Sequence, residues 1–272
     1  MTKTIGAGFA ALLLISAQAL AQVAPNLGSA APFAVLGTNA IPTVGTVTCT
    51  DSGPGTAING DVGSTFNLIT NTGCTINGTV TAPVAAQVVN DFNAAFASID
   101  GLNPCTGVIP TTTTTLNPGV FCSPAGTTIG AGVIITLRGN VNDVFVFRVG
   151  TGGLGALTVT DAQIVLSGGA RACNVFFKTA EGTTLTRSAV VGTFLAGTAF
   201  TMTNGSLIGR ALASTDATVT NAAPLTFGGC AAAPPGPVSV PTLVPTLSEW
   251  AMILLAMLMA TAGIAAMRRR TR

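Results

Sequence analysis

Pairs of threonines separated by one apolar residue recur in the C-terminal half of the sequence. The last three pairs begin 17 residues apart, at Thr184, Thr201 and Thr218, and an earlier pair begins at Thr158. Side chains alternate across a β-strand, so threonines that flank an inward residue both point outward. Stacked strands would align them in two files about 6.6–6.8 Å apart, with about 4.7–4.9 Å between neighbouring strands. The candidate binding residues are Thr158, Thr160, Thr184, Thr186, Thr201, Thr203, Thr218 and Thr220.

Threonine suits a surface that orders water. Its χ1 angle is stiff, so the hydroxyl position is set in advance, and its methyl group is apolar. The predicted distances are comparable to the oxygen repeats of ice, and a rigid array adds weak contacts at little ordering cost. The alternative is an ordinary strand surface, because threonine favours strands in any case.

The 17-residue period predicts a solenoid, in which each coil buries its core only against its neighbours. Each coil contains three short strands, which gives a triangular cross-section. The third strand type is apolar on both faces, which implies an outer cover. We therefore expect an all-β solenoid. The face after the threonine pairs is the second choice for binding, around Ser188, Ser206 and Ile208.

One segment has helical rather than β periodicity. Apolar residues at 84, 88, 92, 95, 96 and 99 predict one long amphipathic helix over about residues 82–101. Its apolar stripe needs a partner. As the only available cover, the helix should lie on the third strand type and leave the threonines uncovered.

Both ends of the chain resemble targeting signals. Residues 1–21 combine Lys3, a short apolar run and an Ala-Leu-Ala cleavage site, and are expected to form a signal peptide rather than a membrane anchor. A Pro/Ala-rich linker is expected at 232–243, after a single domain at 22–231. Residues 244–272 begin with a Pro-Thr-Leu-Ser-Glu-Trp signature and continue into a transmembrane segment at 251–267, followed by arginines. This tail resembles the IPTL-CTERM sorting signals, at which a membrane protease is thought to cut; a permanent anchor is the alternative.

The charges of the predicted domain exclude several classes of function. Of the 11 basic residues, four lie in the C-terminal tail and one is Lys3, which leaves six against eight acidic residues. No basic patch is available for nucleic acid. Histidine is absent, so zinc sites lack their usual ligands and Ser-His-Asp catalysis is impossible. We expect no enzyme activity, no cofactor and no metal.

Six cysteines in an exported domain predict disulfides. Sequence proximity favours Cys49–Cys74 and Cys105–Cys122, which leaves Cys173 and Cys230 as the third pair. Proximity alone does not fix the connectivity.

Several phrases resemble the microbial ice-binding family of the DUF3494 type. They include Asn-Leu-Gly-Ser-Ala-Ala-Pro-Phe at 26–33, Ile-Asn-Gly-Asp-Val-Gly at 58–63 and Leu-Asn-Pro-Gly-Val-Phe at 116–121. The phrase Gly-Ala-Arg-Ala-Cys-Asn-Val-Phe-Phe at 169–177 is close to the most characteristic phrase of that family, and Gly-Arg-Ala-Leu-Ala at 209–213 is similar to its final coil. The resemblance extends over about residues 26–230, with the phrases in the order of the family.

The resemblance implies an irregular right-handed β-helix of triangular cross-section with one long α-helix packed alongside, and adsorption to ice that inhibits recrystallisation. Strong members carry a Thr-Ala/Gly-x-Thr/Asn motif on the face after the Thr-x-Thr strand. This sequence departs from that motif, with Arg-Ser-Ala-Val at 187–190 and Asn-Gly-Ser-Leu at 204–207. The departure leaves open which face contacts ice.

Two other functions are the alternatives to ice binding. A surface adhesin or structural coat protein would also suit the sorting tail and the threonine content. A carbohydrate-binding β-helix should show clustered aromatic residues, but tyrosine is absent and the one tryptophan lies in the tail. The expected partners are ice or ordered water, the membrane through the C-terminal segment, and the sorting protease. We expect an exported monomer in the cell envelope, either surface-anchored or released.

Overall fold

A computed structural model describes residues 23–39, 45–53, 55–102, 104–222 and 225–226. Within them the chain forms a β-solenoid, whose neighbouring strands all pair in parallel. The strands are β1 (Phe33–Gly37), β2 (Val47–Thr50), β3 (Ala57–Asn59), β4 (Asp61–Ser64), β5 (Ile69–Thr72), β6 (Thr75–Ile76), β7 (Val80–Thr81), β8 (Gly107–Val108), β9 (Thr114–Leu116), β10 (Gly119–Ser123), β11 (Thr127–Ile129), β12 (Ile134–Arg138), β13 (Phe145–Val149), β14 (Leu157–Thr160), β15 (Gln163–Ser167), β16 (Val175–Thr179), β17 (Thr183–Thr186), β18 (Ala189–Ala196), β19 (Phe200–Thr203), β20 (Ser206–Ala213), β21 (Ala217–Thr220) and β22 (Leu225–Thr226). The helix α1 covers Ala86–Ser98, and short 3-10 helices cover Gly28–Ala30, Ile99–Gly101 and Ala172–Asn174.

The strands form three faces. One sheet, here called the threonine face, has the strand order β11-β14-β17-β19-β21-β2-β5. The second face contains β9, β12, β15, β22, β3 and β6, and the helix face contains β8, β10, β13, β16, β1, β4 and β7. The long strands β18 and β20 pass from the second face to the helix face. They turn this corner at Gly192 and Gly209, where φ is +121° and +151°, and a Cβ on Gly209 would lie 1.9 Å from the Gly192 carbonyl oxygen.

An aromatic ladder fills the core behind the helix face. The rings of Phe121, Phe147, Phe177 and Phe194 belong to successive strands in register. Their centroids are 5.3, 4.5 and 4.5 Å apart and the rings are stacked. Each coil therefore contributes one ring to a continuous column, as expected where coils bury their cores only against neighbours.

The helix α1 packs against the helix face, as the sequence predicts for strands that are apolar on both sides. Val88, Phe92 and Ala95 of α1 are buried in one cluster with apolar residues of six strands, β1 among them. The strand residues of this cluster include Val120, Val146, Phe176, Leu195 and Leu212. The threonine face is therefore left uncovered by the helix.

The α-helix begins four residues after its predicted start. Pro83 follows a cis peptide bond, and the Val84 N–H donates to the Ser64 carbonyl oxygen rather than to a helical partner. Proline biases the preceding Ala82 away from helical angles, and the N-cap residue Ala85 is extended with a ψ of 146°, so the helix begins at Ala86. The predicted end at residue 101 agrees with the 3-10 helix Ile99–Gly101.

Buried cations fix the end of the helix to the strands. The Arg148 guanidinium donates to the Leu102 carbonyl oxygen at 3.0 Å, and Lys178 lies 4.1 Å from the centroid of the Phe96 ring. Asp100 forms ion pairs with both Lys178 and Arg148. Cations at this end of a helix interact favourably with its last carbonyl groups, so these residues hold the cover in place.

The order of the coils along the solenoid differs from their order in the sequence. The strand β1 pairs with β20 and β2 pairs with β21, so the N-terminal strands stack on the last C-terminal coils. The 17-residue period describes only the coils from β17 to β21 and does not predict this arrangement.

Two disulfides lie entirely within the described residues, Cys49–Cys74 and Cys105–Cys122, and these are the pairings that sequence proximity favours. Cys230, the expected partner of Cys173, lies outside the described residues. The predicted signal peptide, linker, sorting tail and membrane segment at 251–267 also lie outside them. No helix among the described residues is long and apolar enough to cross a membrane.

Candidate functional site

The threonine pairs align across the threonine face as the sequence predicts. Pairing places Thr158, Thr184, Thr201 and Thr218 beside one another, and likewise Thr160, Thr186, Thr203 and Thr220. The residue between each pair points into the core and is fully buried: Val159, Leu185, Met202 and Val219. The structure thus brings all eight predicted threonines together on one surface.

Five further threonines extend the two files. Thr128 precedes the first file, and Thr48 and Thr70 continue it on β2 and β5, while Thr50 and Thr72 continue the second. The files therefore contain seven and six threonines. The sequence does carry the signal, because Thr48-Cys49-Thr50 and Thr70-Asn71-Thr72 are also Thr-x-Thr triplets. We missed them because they lie outside the 17-residue period and their middle residues are not aliphatic.

The dimensions of this surface follow from strand geometry. Seven parallel strands with about 4.8 Å between neighbours span about 29 Å, and the two files lie about 6.7 Å apart. All thirteen threonines are at least partly exposed, and Thr70, Thr72, Thr128 and Thr184 are the most exposed of them. The face is thus a regular two-row array of hydroxyl and methyl groups.

A row of left-handed residues borders the second file. Asp161, Arg187, Asn204 and Asn221 each follow a Thr-x-Thr strand, with φ between +47° and +52°. Asn and Asp tolerate this conformation better than other non-glycine residues, so the sequence places turn residues where the chain leaves the face. These turns end the two-row array at the same point in four successive coils.

An ion pair beside the array lies in this row. Arg187 donates from Nε and Nη2 to the two carboxylate oxygens of Asp161, at 2.7 and 2.6 Å. These hydrogen bonds hold the pKa of Asp161 below its ordinary value and raise that of Arg187. The opposite charges neutralise each other at the edge of an otherwise uncharged file.

The second-choice face is not a regular array. Ser188 is 2% exposed; its hydroxyl donates to the Thr186 carbonyl oxygen at 2.9 Å and accepts from the Ala162 N–H at 3.3 Å. The Ser188 hydroxyl is therefore not presented to solvent on this face, because it is used to close the turn. Ser206 is half-buried and Ile208 is 44% exposed. Their neighbours Gln163, Ala189 and Ile134 differ in size and polarity.

A groove follows the corner between the threonine face and the second face. It has a volume of about 560 Å³ and is lined by turn residues of three successive coils together with the loop around Asp51. Hydrogen bonds from the backbone N–H groups of Thr56 and Gly53 hold the pKa of Asp51 below its ordinary value. No group of three or more metal-ligating side chains occurs in the described part of the chain.

Comparison with known protein families agrees with this geometry. The family model described as ice-binding-like matches residues 43–223. The chain belongs to this family. A second model, the IPTL-CTERM motif, matches residues 244–269. No curated protein gives a significant match.

Solved structures of ice-binding proteins share the fold. An ice-binding protein from an Antarctic biological consortium is 27% identical with a TM-score of 0.63, and the match covers 75% of this chain and 92% of that one. An ice-binding protein from an Antarctic bacterium of the Flavobacteriaceae is 32% identical with a TM-score of 0.61, over 74% of this chain and 46% of its own. The DUF3494 domain of a Shewanella frigidimarina ice-binding protein is 25% identical with a TM-score of 0.61, over 75% and 97%.

Proposed function

We propose that this protein adsorbs to ice through the threonine face and thereby inhibits recrystallisation. The observation that carries the proposal is the register of thirteen threonines in two straight files on a surface that the helix leaves free. Membership of the ice-binding-like family supports ice as the ligand.

The adsorption requires no catalytic group. Each threonine offers a hydroxyl that bonds water and a methyl that does not, at positions fixed by stiff χ1 angles and by the buried residue beneath. Because the array is rigid before contact, many weak interactions add with little loss of conformational entropy. The absence of histidine and the paired state of Asp161 and Arg187 fit a surface that acts by shape and hydration.

The sorting motif supports a location outside the cytoplasm. We infer that the solenoid is exported and is either held at the cell envelope or released after the tail is cut. Immunoblotting of envelope and medium fractions with an antibody to the solenoid tests this directly. A full-length product confined to the cytoplasm would contradict it.

The test of ice adsorption uses tyrosine substitutions that break the flatness of the array. Thr201→Tyr and Thr218→Tyr place a bulky ring in the middle of the face and are expected to abolish or strongly weaken recrystallisation inhibition. Gln163→Tyr adds the same ring at an exposed position of the second face and serves as the matched control. It should leave the activity unchanged.

The opposite result would assign the ice-binding site to another face. If Gln163→Tyr removes the activity while Thr201→Tyr and Thr218→Tyr retain it, the second face contacts ice. If the unmodified protein neither slows recrystallisation nor shapes growing ice crystals, the proposed function is wrong and a role as an adhesin or coat protein gains support.

A further inference from the structure

The last strand of the threonine face lacks the anchor that holds the other six. The inward residue between the threonine positions is at most 1% exposed in β2, β14, β17, β19 and β21, and Ile129 provides the same anchor in β11. In β5 this position is Asn71, which is exposed, and Ile69 is only half-buried. Burial of apolar surface therefore contributes little to holding β5 on the face.

The strand β5 is also an edge strand. Among the described strands it pairs with β2 and ends the order of the sheet. A terminal coil of a solenoid is stabilised from one side only, so it opens more readily than the coils inside. Thr70 and Thr72 would leave the array in such an opening.

A disulfide joins β2, directly beneath its threonines, to the turn just after β5. Cys49 is the inward residue between Thr48 and Thr50, and it is the register partner of Asn71. Its partner Cys74 lies two residues beyond β5, with a Cα–Cα distance of 6.1 Å. Asn71 closes the same turn, because its Nδ2 donates to the Cys74 carbonyl oxygen and its Oδ1 accepts from the Cys74 N–H, both at 3.0 Å.

We propose that the Cys49–Cys74 disulfide is a positioning element that sets the length of the ice-binding array. It substitutes a covalent link for the missing apolar anchor and keeps Thr70 and Thr72 in the two files. The inference rests on the proposed function for its effect on ice, but its effect on β5 is independent of ice. Without the link, the array shortens from thirteen threonines on seven strands to eleven on six.

The second disulfide provides a matched control. Cys105–Cys122 ties the segment before β8 to β10 at the opposite end of the solenoid, on the helix face. This disulfide is not attached to a strand of the threonine face, because Cys122 lies in β10, which pairs with β8 and β13. Its removal should lower stability without shortening the array.

The experiment compares Cys49→Val/Cys74→Ala with Cys105→Ala/Cys122→Val in the full chain. Valine at position 49 reproduces the residue found at the same place in β14 and β21. Hydrogen exchange of the β5 amides, measured without ice, should accelerate by about tenfold or more in the first variant only, because the edge opens locally. The protein concentration needed to stop recrystallisation should rise several-fold in the same variant, while both variants show a lower Tm.

The readouts separate the two hypotheses. Unchanged protection of β5, or equal exchange and ice effects in the two disulfide variants, would overturn the positioning role. A different combination separates them further: β5 exchanges faster in the Cys49→Val/Cys74→Ala variant, but Thr201→Tyr keeps full activity against ice. That result would support the positioning role of the disulfide and would refute the threonine face as the ice site. Should the first variant fail to fold, Cys74→Ala alone keeps the buried Cys49 beneath the threonines and removes the covalent link to the turn after β5. It is then expected to accelerate exchange of the same amides, and unchanged exchange would reject the proposal.

Discussion

Thr184 and Thr201 lie side by side in register on neighbouring parallel strands, above the fully buried Leu185 and Met202. Their backbone positions are fixed by the sheet, and their rotamers are restricted by the branched Cβ. The hydroxyl and methyl groups of such a pair can therefore be tested separately, because changing one side chain does not disturb the strand beneath.

Thr184→Val removes the hydroxyl and keeps the shape, whereas Thr184→Ser keeps the hydroxyl and removes the methyl. We expect both variants to weaken recrystallisation inhibition, because ordered water needs the two groups together. The free energy of unfolding should change by no more than about 0.5 kcal/mol, since the position is exposed. Thr136→Val on the second face is the control and should retain full activity; a loss there equal to that of Thr184→Val would argue against a single binding face.

The phenylalanine ladder should dominate the stability of the middle coils. Phe177 is 1% exposed and stacks on rings at 4.5 Å on both sides. Phe177→Ala leaves a cavity in the column and is expected to lower the free energy of unfolding by about 3–5 kcal/mol in urea titrations. Phe66→Ala, at a position that is 37% exposed, should cost much less. Similar losses in the two variants would show that the ladder does not carry the core.

The left-handed turn after Thr201 and Thr203 is formed by Asn204. Asn204 has a φ of +52°, a conformation that alanine adopts at a cost of about 1–2 kcal/mol. Asn204→Ala should therefore lower the free energy of unfolding by about 1 kcal/mol, and Asn204→Gly, which removes the steric conflict, should be closer to neutral. Chemical denaturation measures both, and a less stable glycine variant would contradict the backbone explanation.

Stability should be insensitive to pH near neutrality and fall in acid. The chain has no histidine, so no side chain has an ordinary pKa between 5 and 8. The Asp91 carboxylate accepts hydrogen bonds from the hydroxyl and backbone N–H of Ser29 and from Gln87, which hold its pKa below the ordinary value of 3.8. A lowered pKa in the folded state stabilises the protein above pH 3.8, and this contribution disappears as the pH falls through the folded pKa.

Asp91→Asn removes one such titration. We expect the denaturation midpoint of this variant to lie below that of the unmodified protein at pH 7. The two midpoints should move closer together at pH 3, where the stabilising contribution of the Asp91 carboxylate is being lost. A constant difference between the two proteins across this range would exclude Asp91 as a source of the acid sensitivity.

The sequence predicted the structural type because its strongest signals are local. The alternation in Thr-x-Thr and the 17-residue period identify strands and coils, and the two-sided apolar strands predicted where the helix packs. The helix begins at Ala86 rather than near residue 82 because Ala85 is extended, a local backbone angle that the apolar spacing does not report. The helix and the faces were thus predictable from short-range rules.

Which residues belong to the candidate site was less predictable, because this depends on pairing between strands that are far apart in the sequence. Thr48 and Thr50 join the array only because β2 stacks on β21, a contact between residues far apart in the chain. Ser188 lies two residues after the outward Thr186, but it is buried at the corner, where its hydroxyl hydrogen-bonds to Thr186 and Ala162. Neither feature follows from the residue pattern of one coil.

The stacking of β1 on β20 also constrains how the molecule is made. The Thr38 hydroxyl, just after β1, donates to the carbonyl oxygen of Ala213, a residue 175 positions later in the chain. During synthesis or passage across a membrane, the leading segment must wait without its partner strand until nearly the whole solenoid has followed, because non-local pairings form last. An export route for this chain must therefore keep its early strands from pairing with other chains until the final coil emerges and closes the stack.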